Sequence, residues 1–110
     1  MSDLLVKKCI PCSIGAEPLK ENEIDELLKS LKEGWKLIDY QRLEKVYKFS
    51  NFKEALNFTI QVGELAESEG HHPDIYLSWA KVILKLWTHK IAGLHENDFI
   101  LAAKIDQLSS

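Results

Sequence analysis

The stretch from Asn51 to Gly70 is the best-marked element of this chain and restricts its fold more than any other. Asn51 with Glu54 three residues later resembles a capping box, and Phe52, Ala55, Leu56, Thr59, Val62, Gly63 and Ala66 recur at helical spacing along one stripe. Gly70 marks the expected end of that helix. On either side the period changes. Trp35 to Tyr40 and Leu43 to Phe49 mix aromatic and β-branched residues with charges at nearly every second position, which predicts two half-buried strands with a turn at Gln41 and Arg42. Asp74 to His89 again reads as extended. Its length exceeds the usual strand of about five or six residues, so two strands are predicted, with Ala80-Lys81 as the join. In the second of them Val82, Leu84 and Leu86 point one way, and Lys81, Ile83, Lys85, Trp87 and His89 point the other, because side chains alternate along a strand.

Two further helical patterns bracket these elements. Ile24, Leu27, Leu28 and Leu31 follow one helix face, with Asn22 as N-cap and Gly34 as stop. His95 to Leu108 carries Phe99, Ala102, Ala103 and Asp106 on one side with Leu101, Ile105 and Leu108 nearby, and Gly93 separates it from the preceding strand. The order predicts an α+β fold, α-β-β-α-β-β-α, with a four-stranded antiparallel sheet and helices packed on one face. The other face must then be charged, paired with another subunit or used for binding.

A chain of 110 residues accommodates one core rather than two. Residues 1–20 hold two of the three prolines and no sustained periodicity, so they read as an irregular arm, with 21–110 as a single domain. The hydrophobic share of 45% and charged share of 28% are those of an ordinary globular protein, without the eighteen or so consecutive apolar residues that span a bilayer. The start, Met1 to Ser13, lacks the basic-then-apolar order of a secretion signal, so a cytoplasmic location is expected. Net charge is -3 and the lysines alternate with acids, so no basic stripe is offered to nucleic-acid phosphates, although binding to a protein is not excluded. Cys9 and Cys12 lack both a strand-helix junction and further zinc ligands, and read as reduced thiols; a zinc shared between subunits survives this argument.

Three of the four histidines fall in one pattern with two carboxylates: Glu67, His71-His72-Pro73, His89 and Asp98. Imidazole is the side chain whose ordinary pKa lies nearest neutrality, so clustering it implies proton transfer or metal binding. Glu67 lies in the last turn of the long helix, where a carboxylate and unpaired carbonyls favour a protonated imidazole nearby. Pro73 holds His72 extended, and neighbouring side chains on extended backbone diverge, so His71 and His72 are expected to do different jobs. Divergence also argues against a metal, whose ligands must converge.

The run Glu67-x-x-x-His71-His72-Pro73, with five residues to Trp79, nine to His89 and eight to Asp98, resembles the signature of the pterin-4a-carbinolamine dehydratases. The likeness extends from Gly34-Trp35 to Ile105 and includes Thr88-His89 and Ala92-Gly93-Leu94. It implies dehydration of 4a-hydroxytetrahydropterins to quinonoid dihydropterins in tetrahydropterin recycling, without metal or bound cofactor. On that resemblance His71, His72 and His89 form the catalytic set, His71 and His89 as acid and base and His72 helping to hold the pterin, while Glu67 and Asp98 orient the imidazoles. Asp98 is equally placed to cap the last helix, and the two duties are compatible. Trp79 is assigned to sheet packing and Trp35 to the core in preference to stacking on a ligand, and His95 to the surface. Family members often carry Ser or Thr in place of His95 and Asn in place of Ala80. The family also implies homodimers or homotetramers, a hydroxylase or transcription-factor partner, and in animals a second role as dimerisation cofactor of a homeodomain transcription factor; a pterin-handling role in molybdenum cofactor metabolism is the other alternative.

Overall fold

The computed structural model describes residues 17–108, so Cys9, Cys12 and most of the arm lie outside the described residues. The elements are α1 (Glu21–Leu28), β1 (Lys36–Ile38), β2 (Arg42–Lys48), α2 (Phe52–Glu69), β3 (Asp74–Ser78), β4 (Lys81–Leu86) and α3 (Glu96–Leu108), with a 3-10 turn at His89–Ile91 before α3. The sheet has four strands in the order β1-β2-β4-β3, every pair antiparallel, as the sequence predicts. No helix of the described residues is long and apolar enough to cross a membrane.

One core joins the layers. Leu43, Val82, Leu84 and Leu86 from one sheet face pack with Ile24 of α1, Ala55, Phe58 and Val62 of α2, and Phe99 to Ala103 and Ile105 of α3. The strand register places Val46, Ile83 and Tyr76 side by side on the opposite face, between a row of Lys36, Glu44, Lys85 and Asp74 and a row of Lys48, Lys81 and Ser78. Charge therefore flanks the apolar row of the uncovered face, which disfavours indiscriminate pairing.

Several local expectations are corrected. α1 starts at Glu21 after Lys20, not after Asn22, because the Glu23 carboxylate accepts the Lys20 backbone N–H at 2.9 Å. It ends at Leu28, well before Gly34, in a tightened turn where Ser30 and Leu31 N–H donate to carbonyls three residues back. The first hairpin turns at Asp39 and Tyr40, not at Gln41 and Arg42; both have positive φ, 53° and 55°, and Gln41 N–H donates to Ile38 O at 2.9 Å. The second turns at Trp79 and Ala80, one residue before the expected join, since Ser78 pairs with Lys81. On α2 the buried stripe is Ala55, Phe58, Val62 and Ala66, while Phe52 and Leu56 are 42% and 37% exposed. Together with Ile60 they make a second, outward apolar stripe. Trp79, assigned to sheet packing, is instead 69% exposed at the hairpin tip.

Candidate active site

The end of α2 aims the first histidine. Gly70 adopts φ 66°, its N–H donates to Glu67 O at 3.3 Å, and His71 N–H donates to Ala66 O at 3.3 Å. Those two bonds are the Schellman pair that closes a helix through a left-handed glycine. They leave His71 at the first position after the turn. Its Nε2 lies 2.6 Å from Asp98 Oδ1, with the histidine side chain 13% and the aspartate side chain 0% exposed.

Asp98 sits in the first turn of α3, and its other oxygen is also engaged. Oδ2 accepts from Thr88 Oγ1 at 2.8 Å and from His95 N–H at 3.0 Å. An ionised carboxylate only accepts hydrogen bonds. When Asp98 is ionised, the proton of the His71 bond therefore sits on Nε2, and Nδ1 is the nitrogen left to exchange a proton with another molecule. Helix capping and imidazole orientation are thus combined in one carboxylate.

His95 is half-buried rather than a surface residue, and its Nδ1 accepts Asn97 N–H at 3.0 Å. The imidazole caps α3 where family members often have a hydroxyl. Asp98 Oδ2 accepts the His95 N–H in turn, so both side chains satisfy backbone donors at the start of α3.

His72 turns away from His71. Its Nε2 hydrogen-bonds to Glu67 Oε2, and both side chains are largely exposed, 59% and 77%. The two adjacent imidazoles are thus held by two different carboxylates. A further bond ties their supports together: Lys104 Nζ of α3 reaches Glu69 Oε2 of α2 at 2.7 Å, both side chains mostly buried.

His89 lies in the 3-10 turn beyond β4, not at the close of the strand as expected, and it is exposed. The turn is pinned by Thr88, whose N–H donates to Gly93 O at 2.8 Å and whose carbonyl accepts from Gly93 N–H at 3.4 Å. A Cβ at Gly93 would meet Pro18 Cβ at 2.9 Å, so only glycine permits this close approach. Among the described residues no hydrogen bond joins the His89 ring to His71 or His72; its link to Asp98 runs through Thr88. The ring stacks instead on Trp87, with centroids 4.0 Å apart and planes at 35°.

Thr88, His95 and Trp87 had no assigned role in the sequence. The signal for Thr88 was available: it continues the inward parity of Val82, Leu84 and Leu86, and a hydroxyl there must find a buried acceptor. Trp35 is core, as expected, but it also donates to a buried carboxylate, Asp106, at 2.8 Å.

The structure thus brings His71 onto Asp98 and His72 onto Glu67, and sets His89 on Trp87 in the turn before α3. Comparison with known proteins identifies the family. The family model described as pterin 4 alpha carbinolamine dehydratase matches residues 17–108. Relatives whose names assign them to the pterin-4-alpha-carbinolamine dehydratases include one from Alkaliphilus metalliredigens, 54% identical over 100% of this chain and 99% of its own. Another, from Rubrobacter xylanophilus, is 47% identical over 98% of this chain and 100% of its own. A crystal structure of a transcriptional coactivator/pterin dehydratase from Brucella melitensis superposes with a TM-score of 0.79 at 30% identity, covering 86% of this chain and 100% of that one. A pterin dehydratase-like RuBisCO assembly factor of the alpha-carboxysome shares the fold, with a TM-score of 0.61 at 22% identity over 71% of this chain and 92% of that one. The chain belongs to the pterin-4a-carbinolamine dehydratase family.

Proposed function

We propose that this protein dehydrates a 4a-hydroxytetrahydropterin to the quinonoid dihydropterin by general acid-base catalysis. The observation that carries the reading is the His71-Asp98 pair, a buried carboxylate 2.6 Å from an imidazole that keeps a free nitrogen and partial exposure. In the reaction one group protonates the C4a hydroxyl, the C4a–O bond breaks and water leaves. Another group takes the N5 proton, and the electron pair of that bond forms the N5=C4a double bond. His71 is suited to the second task, because the Asp98 carboxylate stabilises the imidazolium formed when Nδ1 accepts a proton. His89, which has no carboxylate partner among the described residues, is assigned to proton delivery at the hydroxyl. His72, held by Glu67 and largely exposed, is assigned to binding the pterin. Positioned acid-base groups of this kind supply about a hundred- to ten-thousandfold.

Stopped-flow dehydration of synthetic 4a-hydroxytetrahydropterin tests the reading. The wild type should exceed the buffer rate, His71→Ala and His89→Ala should each slow it, and the double variant should approach the buffer rate. A wild type that merely matches buffer defeats the enzyme reading; single variants that match wild type defeat the residue assignment.

Self-association as a homodimer or homotetramer is part of the proposal. Phe52, Leu56 and Ile60 place an exposed apolar stripe on α2, and β1 and β3 are the edge strands of the sheet among the described residues, surfaces suited to isologous contacts. Light scattering decides the number of subunits. A cytoplasmic setting fits chemistry on a small polar heterocycle.

A further inference from the structure

His71 and His72 each have a carboxylate on Nε2, whereas His89 has none among the described residues and stacks on Trp87. Trp87 is itself held from two directions. Its Nε1–H points to Asp74 Oδ2 at 3.4 Å, and the Arg42 guanidinium carbon lies 5.2 Å from its ring centroid. The indole is thus fixed to the neighbouring strands β3 and β2 before it meets His89. An exposed imidazole without a partner turns freely about its side-chain bonds, and a catalytic one must not.

We propose that Trp87 is a positioning residue that holds the His89 imidazole by stacking, in place of the carboxylate that orients the other two histidines, with Asp74 and Arg42 fixing the indole. A stack restrains the plane of the ring but leaves both nitrogens free. That differs from the Asp98 arrangement, where one nitrogen is committed, and it suits a group that must pick up a proton from water and pass it on. The stack itself belongs to the fold; its consequence for turnover rests on the dehydratase reading.

Two measurements separate those levels. In NMR spectra of the wild type, the His89 ring protons, assigned by comparison with His89→Ala, should show the upfield ring-current shift of a proton over an indole. That shift should vanish in Trp87→Leu and persist in Trp87→Phe, with the His71 and His72 resonances unmoved in both. In stopped-flow dehydration, Trp87→Leu should lower kcat about three- to tenfold with little change in KM, the effect of losing one aromatic pair, and Trp87→Phe should restore most of it. Circular dichroism and thermal melting of both variants establish that they fold. Unshifted His89 protons in the wild type, or a Trp87→Phe variant as slow as Trp87→Leu, would overturn the proposal. A normal ring-current pattern in a wild type without dehydratase activity would uphold the stack and sink the function.

Discussion

Helix α3 carries a buried aspartate near each end, and the two do different work with similar resources. Asp98, 0% exposed, accepts from His71, Thr88 and the His95 backbone N–H; Asp106, 1% exposed, accepts from Trp35 at 2.8 Å, Tyr47 at 2.6 Å and Lys45 at 2.7 Å. Each carboxylate is buried and satisfied by several donors. What separates them is whether a donor exchanges its proton near neutral pH. Neither a lysine nor an indole is a side chain whose ordinary pKa lies near neutrality, and Tyr47 holds its proton more tightly than an ordinary tyrosine, because of burial first, then its hydrogen bond to Asp106 and the charge on that residue. Asp106 therefore joins α3 to β2 and to Trp35 as structure. Asp98 holds an imidazole, the side chain type whose ordinary pKa lies nearest neutrality, so burial of a carboxylate alone does not separate a structural role from the acid-base role proposed for His71.

The largest effect should come from the structural end. Asp106→Ala leaves the Lys45 ammonium, 12% exposed, without its partner, and Tyr47 and Trp35 without their acceptor. Breaking a buried pair from one side costs about 3–5 kcal/mol. Urea unfolding should show a loss of that size, with the dehydration rate per folded molecule little changed. A variant as stable as wild type, or a folded one that is inactive, would erase the distinction drawn between the two carboxylates.

Asp98→Asn should give the reverse pattern. The amide keeps the shape but carries no charge to stabilise the His71 imidazolium, and its NH2 group no longer accepts. Losing the carboxylate behind a metal-binding histidine costs about 10- to 100-fold in activity, and a fall of at least that order is expected for His71. The fall should appear in kcat, with the unfolding midpoint reduced by less than in Asp106→Ala.

A smaller effect sharpens the comparison through pH. The Tyr47 pKa is raised in the folded state, so the neutral phenol stabilises the fold fully below the ordinary tyrosine value of about 10, and this contribution is lost as pH rises above it. Stability measured by denaturant titration should decline above about pH 10. Tyr47→Phe should cost about 1.5–3 kcal/mol at neutral pH, as a hydrogen bond to a charged group. It should also flatten that alkaline decline relative to wild type.

These two ends of α3 were unequally legible in the sequence. The strand parity, the Asn51 cap and Gly70 all lie in local patterns, so the element order and the sheet were readable directly, and Asn51 Oδ1 does accept Glu54 N–H at 2.9 Å. The Glu54 carboxylate reaches Ser50 N–H rather than that of Asn51, a detail no pattern carries. His71 and Asp98 stand 27 residues apart on different elements; resemblance to a family, not periodicity, gave Asp98 an orienting role, and which imidazole it holds was not legible. The Asp106 cluster joins residues 59 to 71 positions apart, and Lys45 in an alternating strand reads as a solvated charge until the fold turns it inward. The Asp39-Tyr40 turn was misplaced for a different reason. Two positive φ values usually demand Asn or Gly, and here Asp and Tyr adopt them because strand pairing on both sides imposes the turn.

Gly70 offers the finest cut between the two regions, because it touches the His71 end alone. Its φ of 66° suits glycine, and a Cβ there would meet nothing within 4 Å, so Gly70→Ala adds backbone strain without a clash. Placing a non-glycine residue in the left-handed region costs about 1–2 kcal/mol. The strain can be relieved by unwinding the last turn of α2, which would shift His71 relative to Asp98 while the Trp35-Tyr47-Lys45-Asp106 cluster stays as it is. Hydrogen exchange should then show faster opening at Gly70 and His71 N–H, with the Trp35 indole N–H exchanging as in wild type. Since a small misplacement of a catalytic group is costly in rate, kcat should fall further than the stability loss alone accounts for. Uniformly faster exchange at both places would mean that the two ends of α3 report one rigid unit, and the division of labour between its aspartates would have to be abandoned.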